Sequence, residues 1–214
     1  MNTYTKIETV YKRDIDGTKK LIEGDFRSEA VEFLKDKDWI FTEKINGCNT
    51  GIFWDGHKVS YQGRTERAQI PAHLTNKLIS IFGTDESEEM FEQTFGEKQV
   101  VLFGEGYGAK IQKGGGNYIA DGCGFILFDV YMVDSDTWLK RDAIEKIAKS
   151  FGIPAVPIVM IGKIETAVKF IKTQPRSILN PAHEMEGVVG RPVVDFYDRN
   201  HDRLIVKIKV RDFV

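Results

Sequence analysis

Apolar and polar positions alternate, or run apolar over strand lengths, at 38–43, 49–54, 57–61, 99–103, 124–132, 158–161, 186–190 and 204–210. The chain therefore reads as β-rich. Between the second and third of these runs stands Asp55-Gly56, the dipeptide favoured by a type I′ turn because both central residues need positive φ, so 49–61 reads as a β-hairpin. Leu139, Ala143, Ile147 and Phe151 recur at helical spacing, with Ser135 or Asp136 as the cap, Gly152 at the end and Pro154 beyond. Shorter helical patterns lie at 28–36, 73–82 and 164–172. No repeat, no Pro/Ser-rich linker and no regular βαβ alternation is visible. The expectation is one α+β domain over 1–214, with antiparallel β-sheets carrying flanking helices on their outer faces.

Composition narrows the function classes. The 214 residues carry 30 Lys plus Arg against 32 Asp plus Glu, a net charge of −2, which excludes a bulk polycation and leaves only a local basic patch for nucleic acid. With 42% apolar residues and 14 Phe the chain can bury a real core. Cys48 and Cys123 lie far apart, with no CxxC and no zinc spacing. The first residues lack the apolar stretch of a signal peptide, and no apolar run reaches the ~18 residues of a membrane span. A soluble, reducing, cytoplasmic chain with no membrane contact is expected.

The first chemically informative segment is Thr42-Glu43-Lys44-Ile45-Asn46-Gly47-Cys48-Asn49, where a lysine ends a strand just before a turn. It can point into a cleft or simply be solvated. In 204–210 the period of 2 sets Leu204, Val206, Ile208 and Val210 on one face and Lys207, Lys209 and Arg211 on the other, an anion site or a solvated edge. Glu105 and Glu186 stand beside glycines, which permit close approach of backbone or ligand. Phe128 and Asp129 fall on opposite faces of one strand. Gly114-Gly115-Gly116 reads as a flexible loop carrying Lys110 and Lys113, or as a phosphate nest. GEGYGA fits GxGxxA but has no following helix, so a dinucleotide fold is not expected, and His57, His73, His183 and His201 form no catalytic pattern.

In chain order the segments EKINGCN, YQGRT, FGEGYG, FILFDVY, EGVV and VKIKV resemble the nucleotidyltransferase motifs of covalent polynucleotide ligases and mRNA capping enzymes. Within that superfamily the likeness is to ATP-dependent RNA ligases of the phage nick-sealing and RNA-editing type, through EKINGCN with its second Asn and through Ile111-Gln112-Lys113 leading past Tyr118 to FILFDV. The family's lysine motif usually has Asp or His where Asn46 stands. DNA ligases and capping enzymes continue after this strand into an OB domain and nick-sealing RNA ligases into a helical one, whereas past Lys209 only 210–214 remain here, so a minimal nucleotidyltransferase (ATP-grasp-like ligase) core is expected.

The resemblance implies ATP as cofactor, with AMP joined covalently to Lys44, and Mg²⁺ or Mn²⁺. It implies Lys44, Lys207, Lys209 and Glu186 as catalytic residues, with Glu186 and Glu105 serving the metal. Glu43, Lys44, Ile45, Asn49, Arg64, Glu105, Phe128, Glu186, Lys207 and Lys209 would bind the nucleotide: Glu43 reading the adenine amine, Phe128 stacking on the ring, Asn49 and Arg64 holding phosphate, and Glu105 the ribose hydroxyls. The implied partner of the expected monomer is RNA with 5′-phosphate and 3′-OH ends, in a nicked duplex, an RNA/DNA hybrid or single strands. A capping-type guanylyltransferase, a minimal DNA ligase and a non-catalytic module that binds nucleic-acid ends are the alternatives. An intact Lys44, Glu186, Lys207 and Lys209 argue against the last.

Overall fold

The computed structural model describes residues 3–65, 68–197 and 202–214, so His201 lies outside the described residues. The chain forms two compact units, a first of residues 1–4 and 46–156 and a second of 5–45 and 157–214.

Strands β1 (Glu8–Thr9), β2 (Tyr11–Arg13) and β3 (Leu21–Phe26), helix α1 (Glu29–Leu34) and strand β4 (Trp39–Glu43) open the second unit. The first unit follows with β5 (Cys48–Trp54), β6 (Val59–Gly63), α2 (Ala72–Phe82), α3 (Asp85–Phe95), β7 (Val100–Gly108), β8 (Cys123–Met132), β9 (Thr137–Trp138) and α4 (Arg141–Ser150). The chain then returns to the second unit through β10 (Ile158–Gly162), α5 (Ile164–Lys172), β11 (Gly187–Pro192) and β12 (Val206–Lys209).

The first unit is an antiparallel sheet in the order β6-β5-β7-β8-β9. Alternation turns Ile52, Trp54, Leu102, Phe125, Leu127 and Val130 to one face, where Leu74, Leu78 and Phe82 of α2, Phe91 and Phe95 of α3, and Ile144 and Ile147 of α4 close a core. The second unit has the order β1-β12-β11-β4-β10, antiparallel except for the parallel β1–β12 pair. Its core joins Trp39, Phe41, Val188, Val206 and Ile208 of the sheet to Val31 and Leu34 of α1 and Ile164, Val168 and Ile171 of α5. The α+β class with helices on sheet faces is as expected. No helix among the described residues is long and apolar enough to cross a membrane.

Four local expectations change. The 49–61 hairpin forms, but its turn is centred one residue later: Trp54 pairs with Val59, Asp55 N–H donates to the Lys58 carbonyl, and Gly56 (φ 102) with His57 makes the corner. Asp55 is held outside the left-handed region because its carboxylate accepts from the N–H groups of His57 and Lys58. The α4 helix begins at Arg141 with Lys140 as its cap, since Asp136 (φ 48) turns the chain into β9, which pairs back onto β8, and the Tyr131 hydroxyl donates to Asp136 at 2.7 Å. Residues 85–95, whose acids hid the pattern, form α3, capped by Thr84 and Ser87 reciprocally and buried through Ser87, Phe91 and Phe95. Asp85, Glu86, Glu89 and Glu92 face solvent on it, and Glu88 is half-buried. The glycine run expected as a loop carries a 3-10 turn over Gly115–Asn117, and Gly115 packs so closely on the Gly108 carbonyl that a Cβ would lie 2.1 Å from it.

Candidate active site

In β4 the period of 2 sends Trp39, Phe41 and Glu43 to the buried face, so the next residue, Lys44, leaves on the opposite side. Its N–H donates to the Gly187 carbonyl at 2.9 Å, and its Nζ donates to Glu186 Oε2 at 2.7 Å. Glu186 stands one residue before β11, and register pairs Gly187 with Lys209 and Val189 with Lys207. Val206 and Ile208 enter the core, so Lys207 and Lys209 share the outer face as the alternation predicts. Lys209 Nζ lies 3.6 Å from Glu186 Oε1, and Lys207 Nζ donates to the Ile7 carbonyl at 2.7 Å. Arg211 lies past the strand, in a closing 3-10 turn.

Gly187 makes this closeness possible. It sits at φ 155, and a Cβ there would lie 2.2 Å from the Ile208 carbonyl oxygen and 2.8 Å from the Cα of Lys209. One carboxylate thus serves two ammonium groups, with a third lysine nearby. Burial pushes the Lys207 ammonium below its ordinary pKa, and Lys209 and Lys44 push the same way against Glu8. Burial also lowers Lys209, opposed by Glu186 and reinforced by Lys44 and Arg211.

Glu43 is held by protein donors. It is 1% exposed, and its two carboxylate oxygens accept from the Ser177 hydroxyl at 2.5 Å and the Ile178 N–H at 2.8 Å. A buried carboxylate needs such donors, and here they tie the loop after α5 to the end of β4. Ile45, two residues on, is buried, with 4% exposure.

The remaining expected residues belong to the first unit. Asn49 on β5 stands directly opposite Glu105 on β7, both on the sheet face away from the helices. The Asn49 Oδ1 atom is buried, and among the described residues nothing donates a hydrogen bond to it. Gly47 lets β5 start this close to β7, since a Cβ there would meet the Gly106 carbonyl oxygen at 2.2 Å and Glu105 Cγ at 2.8 Å. Asn46, the departure from the family motif, donates from Nδ2 to the Lys113 carbonyl at 2.8 Å and so ties the glycine turn to the start of the hairpin. Arg64 is exposed just after β6.

Phe128 occupies a β-bulge. Register runs from Phe103–Asp129 directly to Gly104–Leu127, so Phe128 has no partner on β7. Phe128 is partly exposed between buried neighbours. Asp129, 2% exposed, accepts from the Tyr4 hydroxyl at 2.7 Å. The structure therefore gathers Lys44, Glu186, Lys207 and Lys209 in the second unit and pairs Asn49 with Glu105 in the first. Ser177, Ile178, Tyr4 and the Ile7 carbonyl were not legible beforehand, because each reaches its partner across 125 to 200 residues.

Among the described residues no group of three or more His, Cys, Asp or Glu could form a metal cage. The Glu186 carboxylate still fits Mg²⁺ or Mn²⁺, since such ions keep several waters and bind through one or two carboxylates plus substrate phosphates.

A family model described as RNA ligase matches residues 37–209. No curated protein matches the chain. Among solved structures it is similar to a lysine-to-alanine mutant of the Naegleria gruberi RNA ligase with ATP and Mn, at 20% identity over 83% of this chain and 51% of that one, with a TM-score of 0.63. The same ligase with pyrophosphate matches at 18% identity over 96% and 61%, TM-score 0.63. An arginine-to-alanine mutant with ATP and Mn matches at 21% over 97% and 56%, TM-score 0.67. The chain thus spans just over half the length of the structures it matches, and the likeness carries the fold. With the family match running from just before β4 to the last residue of β12, across every segment of the motif series, the chain belongs to the RNA ligase family.

Proposed function

We propose that this chain is the adenylyltransferase part of an ATP-dependent RNA ligase that forms a lysyl-AMP intermediate on Lys44, passes AMP to a 5′-phosphate RNA end and joins that end to a 3′-OH. The observation that carries the reading is the single carboxylate of Glu186 set between Lys44 at 2.7 Å and Lys209 at 3.6 Å in a member of this family.

The lone pair of Lys44 Nζ attacks the α-phosphorus of ATP, the bond to the bridging oxygen breaks, and pyrophosphate leaves with the electron pair. An ammonium has no lone pair, so Lys44 must first give up the proton it shares with Glu186 Oε2, which passes to the water that reaches this partly exposed pair. Positive charge drawn to Glu186 weakens its hold on that proton. Lys207 and Lys209 stabilise the negative charge on the phosphoryl oxygens, where fixed charges in a partly dry site are worth most. A divalent cation, when bound with the nucleotide, would be held by Glu186 and supply further positive charge to the phosphates. Phe128 stacks on adenine, Asn49 and Arg64 hold phosphate, and Glu105 takes the ribose hydroxyls. Glu43 reads the adenine amine only with lone pairs that Ser177 and Ile178 leave.

Incubation with α-labelled ATP and Mg²⁺ or Mn²⁺ should label the protein, and Lys44→Ala should abolish the label. Lys207→Ala and Lys209→Ala should lose most of it. Sealing assays on nicked duplex RNA, RNA/DNA hybrids and single strands then identify the substrate. Absence of label with either metal overturns the adenylation reading, and labelling by GTP but not ATP would favour a capping-type enzyme.

A further inference from the structure

We propose that Tyr4 is a positioning residue for adenine recognition, acting through Phe128; this rests on the reading of Phe128 as the adenine-stacking ring. Within a paired strand the pleat and two neighbours fix a side chain's direction, but Phe128 has no partner on β7 and lacks that constraint. A ring that must present its face to a base needs another restraint. Tyr4 supplies it: its ring meets Phe128 edge-on, with centroids 5.1 Å apart and planes at 73°.

Tyr4 is itself held on several sides. It packs edge-on against Phe103 at 5.1 Å and Trp138 at 5.6 Å, and its hydroxyl donates to Asp129 at 2.7 Å. It is 7% exposed. Asp129 is the residue next to Phe128 and is buried, so the hydroxyl anchors Tyr4 to the bulged strand while the ring bears on the bulged side chain. An offset or edge-on aromatic contact restricts ring rotation without covering the face left for a ligand. Tyr4 does not touch the nucleotide in this account. It limits the orientations Phe128 can take before ATP arrives, and so lowers the ordering cost of binding.

Self-adenylation kinetics test this with Tyr4→Leu, Tyr4→Phe, Phe128→Leu and the double variant Tyr4→Leu/Phe128→Leu. Tyr4→Leu should raise KM for ATP about tenfold while the rate at saturating ATP stays within about twofold, since Lys44, Lys207 and Lys209 are unchanged. Tyr4→Phe keeps the ring and should restore KM to within about twofold of wild type, even where it lowers the melting temperature. In the Phe128→Leu background, Tyr4→Leu should leave KM unchanged, because the residue it acts through is gone. If Tyr4→Leu is not recovered folded, Tyr4→Met, which fills more of the space, is read in its place with the same expected result. An unchanged KM, a fall in saturating rate at unchanged KM, or equal effects of Tyr4→Leu with and without Phe128 would overturn the proposal. Wild-type protein that takes no label refutes the adenylation reading instead, so the two failures are distinguishable.

Discussion

Replacing Glu186 by Gln removes one charge and almost no volume, and an amide oxygen remains to accept from Lys44. At an effective dielectric of about 20, opposite charges 4 Å apart attract by about 4 kcal/mol. Glu186 has Lys44 at 2.7 Å and Lys209 at 3.6 Å, and desolvation of all three groups offsets much of that attraction. The side chains are 22%, 19% and 14% exposed for Lys44, Glu186 and Lys209, so water screens the pairs in part. A net loss of about 2 kcal/mol follows, within the range of hydrogen bonds to charged groups, and in a chain of this length it lowers the melting temperature by about 4–8 °C. Urea denaturation of a four-member cycle tests the charge argument further. Lys44→Met should destabilise the wild type by about 1 kcal/mol, because it leaves Glu186 with Lys209 alone. In Glu186→Gln the same change should be neutral or stabilising, since it relieves repulsion among three uncompensated lysines, which gives a coupling of about 1–2 kcal/mol. Glu186→Gln within 0.5 kcal/mol of wild type, or an additive cycle, would refute the reasoning, with about 0.5 kcal/mol being the ordinary spread for surface substitutions.

Gly187→Ala should cost about 3 kcal/mol and reduce adenylation, because its Cβ would lie 2.2 Å from a backbone oxygen at a positive φ, and a melting curve with an adenylation assay checks both. Ser177→Ala should cost about 1–3 kcal/mol in urea denaturation, as it removes a hydrogen bond to the buried Glu43 carboxylate. For Lys207, the folded pKa lies below the ordinary 10.5, so between the two values the unfolded chain binds more protons and stability rises with pH. The stability of wild type relative to Lys207→Met should therefore increase as pH rises from the depressed value toward about 10.5, read from urea denaturation across that range.

Residues whose neighbours in sequence set their geometry were readable in advance. Lys207 and Lys209 share a face because Val206 and Ile208 must enter the core, and α5 occupies 164–172 because Ile164, Val168 and Ile171 recur along one helical face. The strands β1, β2 and β9 were not readable, since two or three residues carry no period, and α3 was hidden because its apolar positions are spaced among acids. The turn after β5 lies one residue beyond the Asp55-Gly56 corner because the Asp55 side chain, rather than its backbone preference, shapes it.

The order of the motif segments, the alternation in β12 and the lysine at the end of β4 belong to the sequence alone, because they rest on local period and on residue identity. Tertiary structure alone decided which carboxylate meets Lys44, that Glu43 is held by Ser177 and Ile178, that Lys207 is tied to the Ile7 carbonyl, and that a bulge sets Phe128 against the Tyr4 ring. The physical reason is range: strand and helix periods are properties of consecutive residues, whereas these contacts follow from strand order and register, which join segments up to 200 residues apart.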